Sequence, residues 1–182
     1  YFIDNDEYFR RKFIMKDAEE KDFADNDERS MFFCRGVLET VKKLGWQPDV
    51  IHCHGYMTGV MGMYIKEMYN KDPHFKETKV VYSLYNDGFK SNWDERFAEK
   101  LKFDGFEDSV CEKFKDTSFT NFSKNILQFF DGVNISSEEL DTELKEAYDG
   151  ITSHKLDYVE EEHLGKELSD FYDKVIQEPA LA

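Results

Sequence analysis

Positive charge is scarce in this chain. It carries 24 lysines and arginines against 39 aspartates and glutamates, a net charge of −15. No Lys/Arg cluster forms the basic face that a nucleic-acid binder presents. The same shortage disfavours anionic membrane surfaces. No run of about 18 apolar residues occurs, so no transmembrane helix is expected. The opening Tyr1-Phe2-Ile3-Asp4 has no basic region leading into a long apolar stretch and is no signal peptide. An initiator Met is also missing, and the expectation is a piece of a longer chain. Only three cysteines occur, Cys34, Cys53 and Cys111, and they lie far apart. Their odd count and wide spacing argue against a disulfide framework. A reducing cytoplasm is the simplest location. There is no Gly-Gly pair, no nucleophile elbow, no P-loop and no dinucleotide fingerprint. Internal repeats and low-complexity segments are absent too.

Aromatic residues, by contrast, are plentiful: 17 Phe and 10 Tyr help to make 16% of the chain. That excludes a disordered acidic polymer, and most Phe should be core. A chain of 182 residues suits a single domain with a real hydrophobic interior.

Apolar periodicity orders the elements. Tyr1 to Ile3 begins in what reads as a strand. Asp4 to Asp25 is charged, with Tyr8, Phe9, Phe13 and Phe23 interspersed, and reads as an irregular connection. Asp25 and Glu28 have capping-box spacing, and Cys34, Val37, Leu38 and Val41 predict an amphipathic helix over 27–44. Gly45 stops it. A strand follows at Val50-Ile51, then a helix over 57–70 with Met57, Val60, Met61, Tyr64, Ile65 and Met68 as its stripe. A methionine stripe can mark an adaptable binding surface, but core packing is the simpler reading here. Asp72-Pro73 marks a break. Lys79 to Tyr85 is the next strand, ending in the turn signal Asn86-Asp87-Gly88. Short helices over 94–101 and 107–114 flank Gly105. A longer helix covers 119–130 and a short strand 132–135. Ser136 and Glu139 have the spacing of a second capping box, opening a helix with Leu140, Leu144 and Tyr148. From about 151 to 182 the chain reads as an acidic helical tail, with Leu164, Leu168, Phe171, Tyr172 and Val175 as its apolar stripe. Strands alternating with helices predict a parallel sheet with right-handed crossovers. The expected fold is an α/β, Rossmann-like three-layer domain, with upstream strands lying before the first residue.

Chemistry is most expected at Asp49-Val50-Ile51-His52-Cys53-His54-Gly55-Tyr56-Met57-Thr58-Gly59. It reads as a buried strand that ends in polar residues and turns into a helix, where open α/β sheets hold ligands. His52 and His54 are two apart and share one side of the strand. A His-x-His pair can bind a metal, but Cys53 points to the opposite face and no third ligand is evident. A sugar-binding or structural pair fits better, since imidazoles donate and accept hydrogen bonds as hydroxyl-rich ligands require. Cys53 has no basic neighbour to lower its pKa and reads as a buried inert thiol, as do Cys34 and Cys111. Tyr85-Asn86, at the carboxyl end of the next strand, is a pocket candidate by position. The run Glu160-Glu161-Glu162 reads as a solvated face.

Four segments together carry a family resemblance. Asp25-Asn26-Asp27-Glu28-Arg29, with Phe32-Phe33-Cys34-Arg35-Gly36 after it, is similar to the Asn-Asp-x-x-Arg-Phe helix of bacterial glycogen (starch) synthase, glycosyltransferase family 5. Pro48-Asp49-Val50-Ile51-His52-Cys53-His54 resembles that family's Pro-Asp-[Ile/Val]-[Ile/Val]-His-x-His strand, and Thr58-Gly59 the start of its next helix. Asn121 to Ser137 resembles a later helix and strand. The resemblance runs from Tyr1 to about Leu144 and is closest to short versions from Bacteroidetes-type bacteria.

The resemblance implies part of the N-terminal domain of a GT-B glycosyltransferase. Such enzymes transfer glucose from a nucleotide sugar, usually ADP-glucose, to the non-reducing end of an α-1,4-glucan. They need no metal and no cofactor. It further implies that His54, Thr58, Tyr85 and Asn86 line the sugar pocket. Two positions depart from the pattern. The family's His-Asp-Trp stands here as His54-Gly55-Tyr56, which removes an acid. Its Thr-[Val/Ile]-His-Asn stands as Ser83-Leu84-Tyr85-Asn86, which puts Tyr85 where the active-site histidine belongs. Tyrosine, with a pKa near 10, is a poor acid–base substitute at neutral pH. The family's Lys-x-Gly-Gly-Leu loop would lie before Tyr1, and no segment supplies a nucleotide-binding C-terminal domain. No catalytic residue is therefore assigned, and the isolated chain is expected to be inactive. Alternative roles are a non-catalytic protein that binds glucan, or a structural domain that pairs with a partner protein carrying the missing half.

Overall fold

The computed structural model describes residues 3–86 and 90–177. Four parallel strands make one sheet: β1 (Val50–His54), β2 (Lys79–Leu84), β3 (Gly132–Ile135) and β4 (His154–Leu156), in spatial order β1-β2-β3-β4. In register, His54 pairs with Ser83, Ser83 with Asn134, and Asn134 with Leu156. The strands alternate with helices, as the α/β reading requires: α1 (Asp6–Phe9), α2 (Asn26–Lys43), α3 (Met61–Met63), α4 (Phe97–Asp104), α5 (Asp108–Cys111), α6 (Phe119–Ile126), α7 (Thr142–Asp149) and α8 (Glu161–Gln177).

The two faces of the sheet differ in kind. Ile51, Cys53, Val80, Tyr82, Leu84, Val133 and Ile135 point into the main core, which α2, α3, α4, α6 and α7 close. Among the described residues nine phenylalanines are buried, Phe97, Phe114 and Phe122 among them, so most of the phenylalanines described are interior. The alternate residues face α8. There Val81 packs with Phe171 and Val175, with Val50, Leu156, Leu168 and Tyr172 around them. Helices on both faces complete the expected three-layer arrangement. His52 and His54 lie on the α8 side, since their parity matches Val50 and not Cys53.

Helix α2 forms as the spacing predicts, burying Met31, Cys34, Leu38 and Val41 along one face. Gly45 ends it in the left-handed conformation, φ +65, with its amide donating to the Lys42 carbonyl. The capping box expected at its start is not made. Asp25 is the N-cap residue, but its carboxylate accepts both guanidinium bonds of Arg11, at 2.7 and 2.5 Å. Charged bidentate pairing outcompetes a single cap bond. Arg29 anchors the preceding connection, donating to the carbonyls of Tyr8 (2.8 Å) and Ile14 (2.5 Å) and to Asn26 Oδ1 (2.8 Å).

Several other expectations need correcting. Ile3 belongs to no strand and lies against α2 at Gly36; Tyr1 and Phe2 lie outside the described residues, as do Asp87 and Gly88 of the expected turn. The helix expected over 57–70 is not regular. A 3₁₀ turn at Tyr56–Thr58 leads into α3, and Tyr64–Met68 is π-helical, with the Tyr69 amide donating to the Tyr64 carbonyl at 3.0 Å. The wide turn lets Tyr64 reach the Asp104 carboxylate while Tyr69 donates to Glu39 at 2.6 Å. The second capping box is also absent. Helix α7 starts at Thr142 behind Asp141, and Ser136 serves the sheet instead.

Candidate functional site

The carboxyl ends of β1, β2 and β3 gather the polar residues of the sheet. On the α8 face a hydrogen-bonded chain runs across three strands. The Tyr172 hydroxyl lies 2.5 Å from His52 Nδ1, and His52 Nε2 lies 2.8 Å from Ser83 Oγ. Ser83 donates to Asn134 Oδ1 at 2.9 Å, and the Asn134 amide donates to Ser136 Oγ at 2.7 Å. A carbonyl oxygen only accepts, so Ser83 must give its proton to Asn134 and accept from His52. That assigns the proton of a neutral His52 to Nε2 and leaves Nδ1 to accept from Tyr172. Burial, followed by the proximity of His54, pushes the His52 pKa down to about 4, in keeping with a neutral ring.

His54 lies on top of His52, ring centroids 4.1 Å apart and planes 29° from parallel. It is exposed at the rim, and its Nδ1 lies 3.0 Å from the Tyr85 hydroxyl. A hydroxyl both donates and accepts, so this contact is satisfied with the His54 proton on either nitrogen. Partial burial lowers the His54 pKa as well. The rim therefore presents uncharged imidazoles and a phenol. Such groups suit a neutral, hydroxyl-rich ligand better than a phosphate, which seeks Arg or Lys.

The remaining expected residues sit differently. Asn86 joins the rim by its backbone, its amide donating to Ser137 Oγ at 2.8 Å, with its side chain exposed. The Thr58 hydroxyl is turned back on its own loop, donating to the Gly55 carbonyl at 2.9 Å. Thr58 lines a separate cavity of about 330 Å³ with Ile3, Phe9, Arg11, Ile14 and Arg29. The structure thus brings His54 and Tyr85 into contact and ties Asn86 to the strand-end serines. Gly55 leaves β1 with φ +77 and ψ 169, a conformation open to glycine and strained for other residues. Behind it Tyr56 packs against Trp93, Phe119 and Phe122, and the Trp93 indole donates to its hydroxyl.

Cys53 is buried on the opposite face from the histidines, its thiol pushed up to about 12 by burial, so no thiolate is available there. Among the described residues no group of three His, Cys, Asp or Glu side chains is placed to hold a metal ion. Nor is any described helix long and apolar enough to cross a membrane. Sequence reasoning missed Tyr172, Ser83, Asn134 and Ser136. The available signal was polarity at the alternate positions of otherwise apolar strands, since a serine and an asparagine facing the same way as His52 need partners.

Comparison with known proteins agrees with the geometry. Residues 1–158 match the family model described as the starch synthase catalytic domain. The glycogen synthase of Elusimicrobium minutum is 33% identical over 137 residues, covering 75% of this chain and 28% of that protein. That of Clostridium perfringens is 31% identical over 150 residues, covering 82% and 30%. That of Thermotoga maritima is 31% identical over 158 residues, covering 83% and 31%. The chain spans less than a third of the length of these relatives.

Proposed function

The chain belongs to the starch synthase catalytic domain family, and on that premise we propose that it forms part of the sugar site of a glucosyltransferase acting between a nucleotide sugar and an α-1,4-glucan. The observation that carries this reading is the His54–Tyr85 contact at the carboxyl ends of β1 and β2, with the neutral His52 stacked beneath it. Strand ends of this kind are where open α/β sheets bind ligands. The relatives it matches are glycogen synthases. By analogy the donor is ADP-glucose and the acceptor glycogen or a maltooligosaccharide. The reaction breaks the bond between the glucosyl anomeric carbon and the nucleotide's phosphate oxygen, and forms one to an acceptor hydroxyl. That hydroxyl's proton must leave as the new bond forms.

These 182 residues alone bind sugar without transferring it. The backbone at Gly55 holds no acid, and Tyr85 is a poor proton acceptor near neutral pH. Contacts to the nucleotide come from residues outside this stretch or from a partner protein. The location that fits is the cytoplasm, since all three cysteines are free and buried. A second reading, a glucan-binding protein without catalysis, is favoured by the same two positions.

Calorimetric titration with maltoheptaose and with ADP-glucose, beside a labelled glucosyl-transfer assay, tests the proposal. Glucan binding that His54→Ala weakens is the expected result. Transfer by these residues alone would overturn the inactive reading, and absence of binding to either sugar would overturn the site.

A further inference from the structure

Helix α8 begins after the residues matched by the family model, yet it reaches the candidate site. We infer that Tyr172 is a positioning residue: it fixes the His52 ring, and through that ring the orientation of the His54 imidazole at the sugar rim. The inference rests on the carboxyl edge of the sheet being the sugar site.

Three observations support it. First, Tyr172 is held by its own neighbours. Phe171, beside it in the chain, and Val175 are buried against Val81 and lie close over Gly132. The hydroxyl therefore arrives at His52 Nδ1 from an anchored backbone, at 2.5 Å. Second, His52 is fixed from both sides. With Ser83 on Nε2 and Tyr172 on Nδ1, a ring flip would turn carbon atoms toward both partners and lose both hydrogen bonds. Removing the hydroxyl leaves Nδ1 without its donor and removes half of that restraint. Third, His54 is exposed and has one side-chain hydrogen bond among the described residues, to Tyr85. Its other restraint is the ring stack on His52. An exposed imidazole keeps its rotamer freedom unless something orders it, so a wandering His52 releases His54 too.

The substitution that isolates this role is Tyr172→Phe, which keeps the packing ring and deletes the hydroxyl. The readout is the imidazole ¹⁵N and ¹³C resonances of His52 and His54 across pH, followed by calorimetric titration with maltoheptaose. In the unaltered protein His52 should show a single neutral tautomer protonated at Nε2. In the variant we expect a shifted His52 Nδ1 resonance while Ser83 keeps the proton on Nε2, displaced His54 resonances and a dissociation constant raised about three- to tenfold, the factor one lost hydrogen bond produces. Leu168→Ala serves as control, since it loosens α8 while Phe171 and Val175 keep it seated. It should lower stability while the His52 Nδ1 resonance stays in place. A Tyr172→Phe variant with unmoved His54 resonances and unchanged affinity overturns the inference. An unaltered protein that binds no glucan overturns the site reading beneath it, and the two failures are distinct.

Discussion

His52 and His54 lie nearly face to face, 4.1 Å between ring centroids, with Ser83 and Tyr172 closing on the lower ring and Tyr85 on the upper. Two imidazoles that close cannot both carry charge cheaply, and the lower one is largely shielded from water. The His52 pKa is accordingly near 4 where an unfolded histidine titrates near 6.5. The unfolded chain thus binds more protons between these values, and stability must fall as pH falls through that window. Urea unfolding at pH 7.5 and pH 5 should show the loss. The part due to His52 is the difference from a His52→Gln variant, about 1–2 kcal/mol after allowing for the ring's partial exposure. Asp72 and Asp94, held at about 2 first by backbone amides, act only below the ordinary carboxylate range and do not confuse the window. Equal losses in both proteins would contradict a buried neutral His52.

Gly55 stands where the family resemblance leads one to expect an acid, and its backbone has a conformation that side chains disfavour. Space is not the obstacle, since an added Cβ would meet nothing within 4 Å. Restoring the acid by Gly55→Asp is therefore expected to cost about 1–3 kcal/mol of stability through strain alone. Gly55→Ala should cost a similar amount, because the penalty belongs to φ and not to charge. Chemical denaturation of the two variants decides it: a neutral Gly55→Ala would mean the loop relaxes freely.

Much of this architecture was legible in the sequence, and the failures are instructive. Helix α2, strands β1 to β3 and the stripe of α8 follow from apolar periodicity, and Gly45 marks its stop as expected. Strand β4 was hidden because His154-Lys155-Leu156 is short and mostly polar, lying at the sheet edge in an acidic stretch. Both capping boxes failed through competition: Asp25 was taken by Arg11, and Ser136 by Asn134. The π-helical turn at Tyr64–Met68 depends on tertiary partners, Asp104 and Glu39, which no local pattern reports. At the site, His54 and Tyr85 were legible by strand-end position. Tyr172 was read only as part of an apolar stripe, because a tyrosine's packing ring and its polar tip answer to different neighbours.

Lys100 gives a second electrostatic test. Its ammonium lies 2.7 Å from Asp27, 2.9 Å from Glu28 and 3.2 Å from Asp94. Asp27 is 1% exposed, and its Oδ1 is buried with no hydrogen-bond partner. Burial raises the Asp27 pKa even with Lys100 in contact. Lys100→Met should cost about 3 kcal/mol, chiefly by abandoning that carboxylate. Adding Asp27→Asn should recover most of the loss, a coupling that a double-mutant cycle in urea measures directly. Additive effects of the two changes would show that Glu28 and Asp94, not Asp27, hold the lysine.

The seat of α8 depends on one missing side chain. Gly132 opens β3 on the α8 face, and a Cβ there would come within 2.8 Å of both Phe171 Cζ and Val175 Cγ2. Both residues are nearly fully buried, so neither has room to turn away. Gly132→Ala must therefore lift the helix or strain the strand, at a cost of about 1–3 kcal/mol. Because Tyr172 lies beside Phe171, lifting the helix also withdraws the hydroxyl from His52 Nδ1. The variant should thus lose stability and, in the same sample, shift the His52 Nδ1 resonance seen by NMR. Stability lost with that resonance unmoved would mean that β3 yields while α8 stays in place, and that the His52 contact outlasts the packing that delivers it.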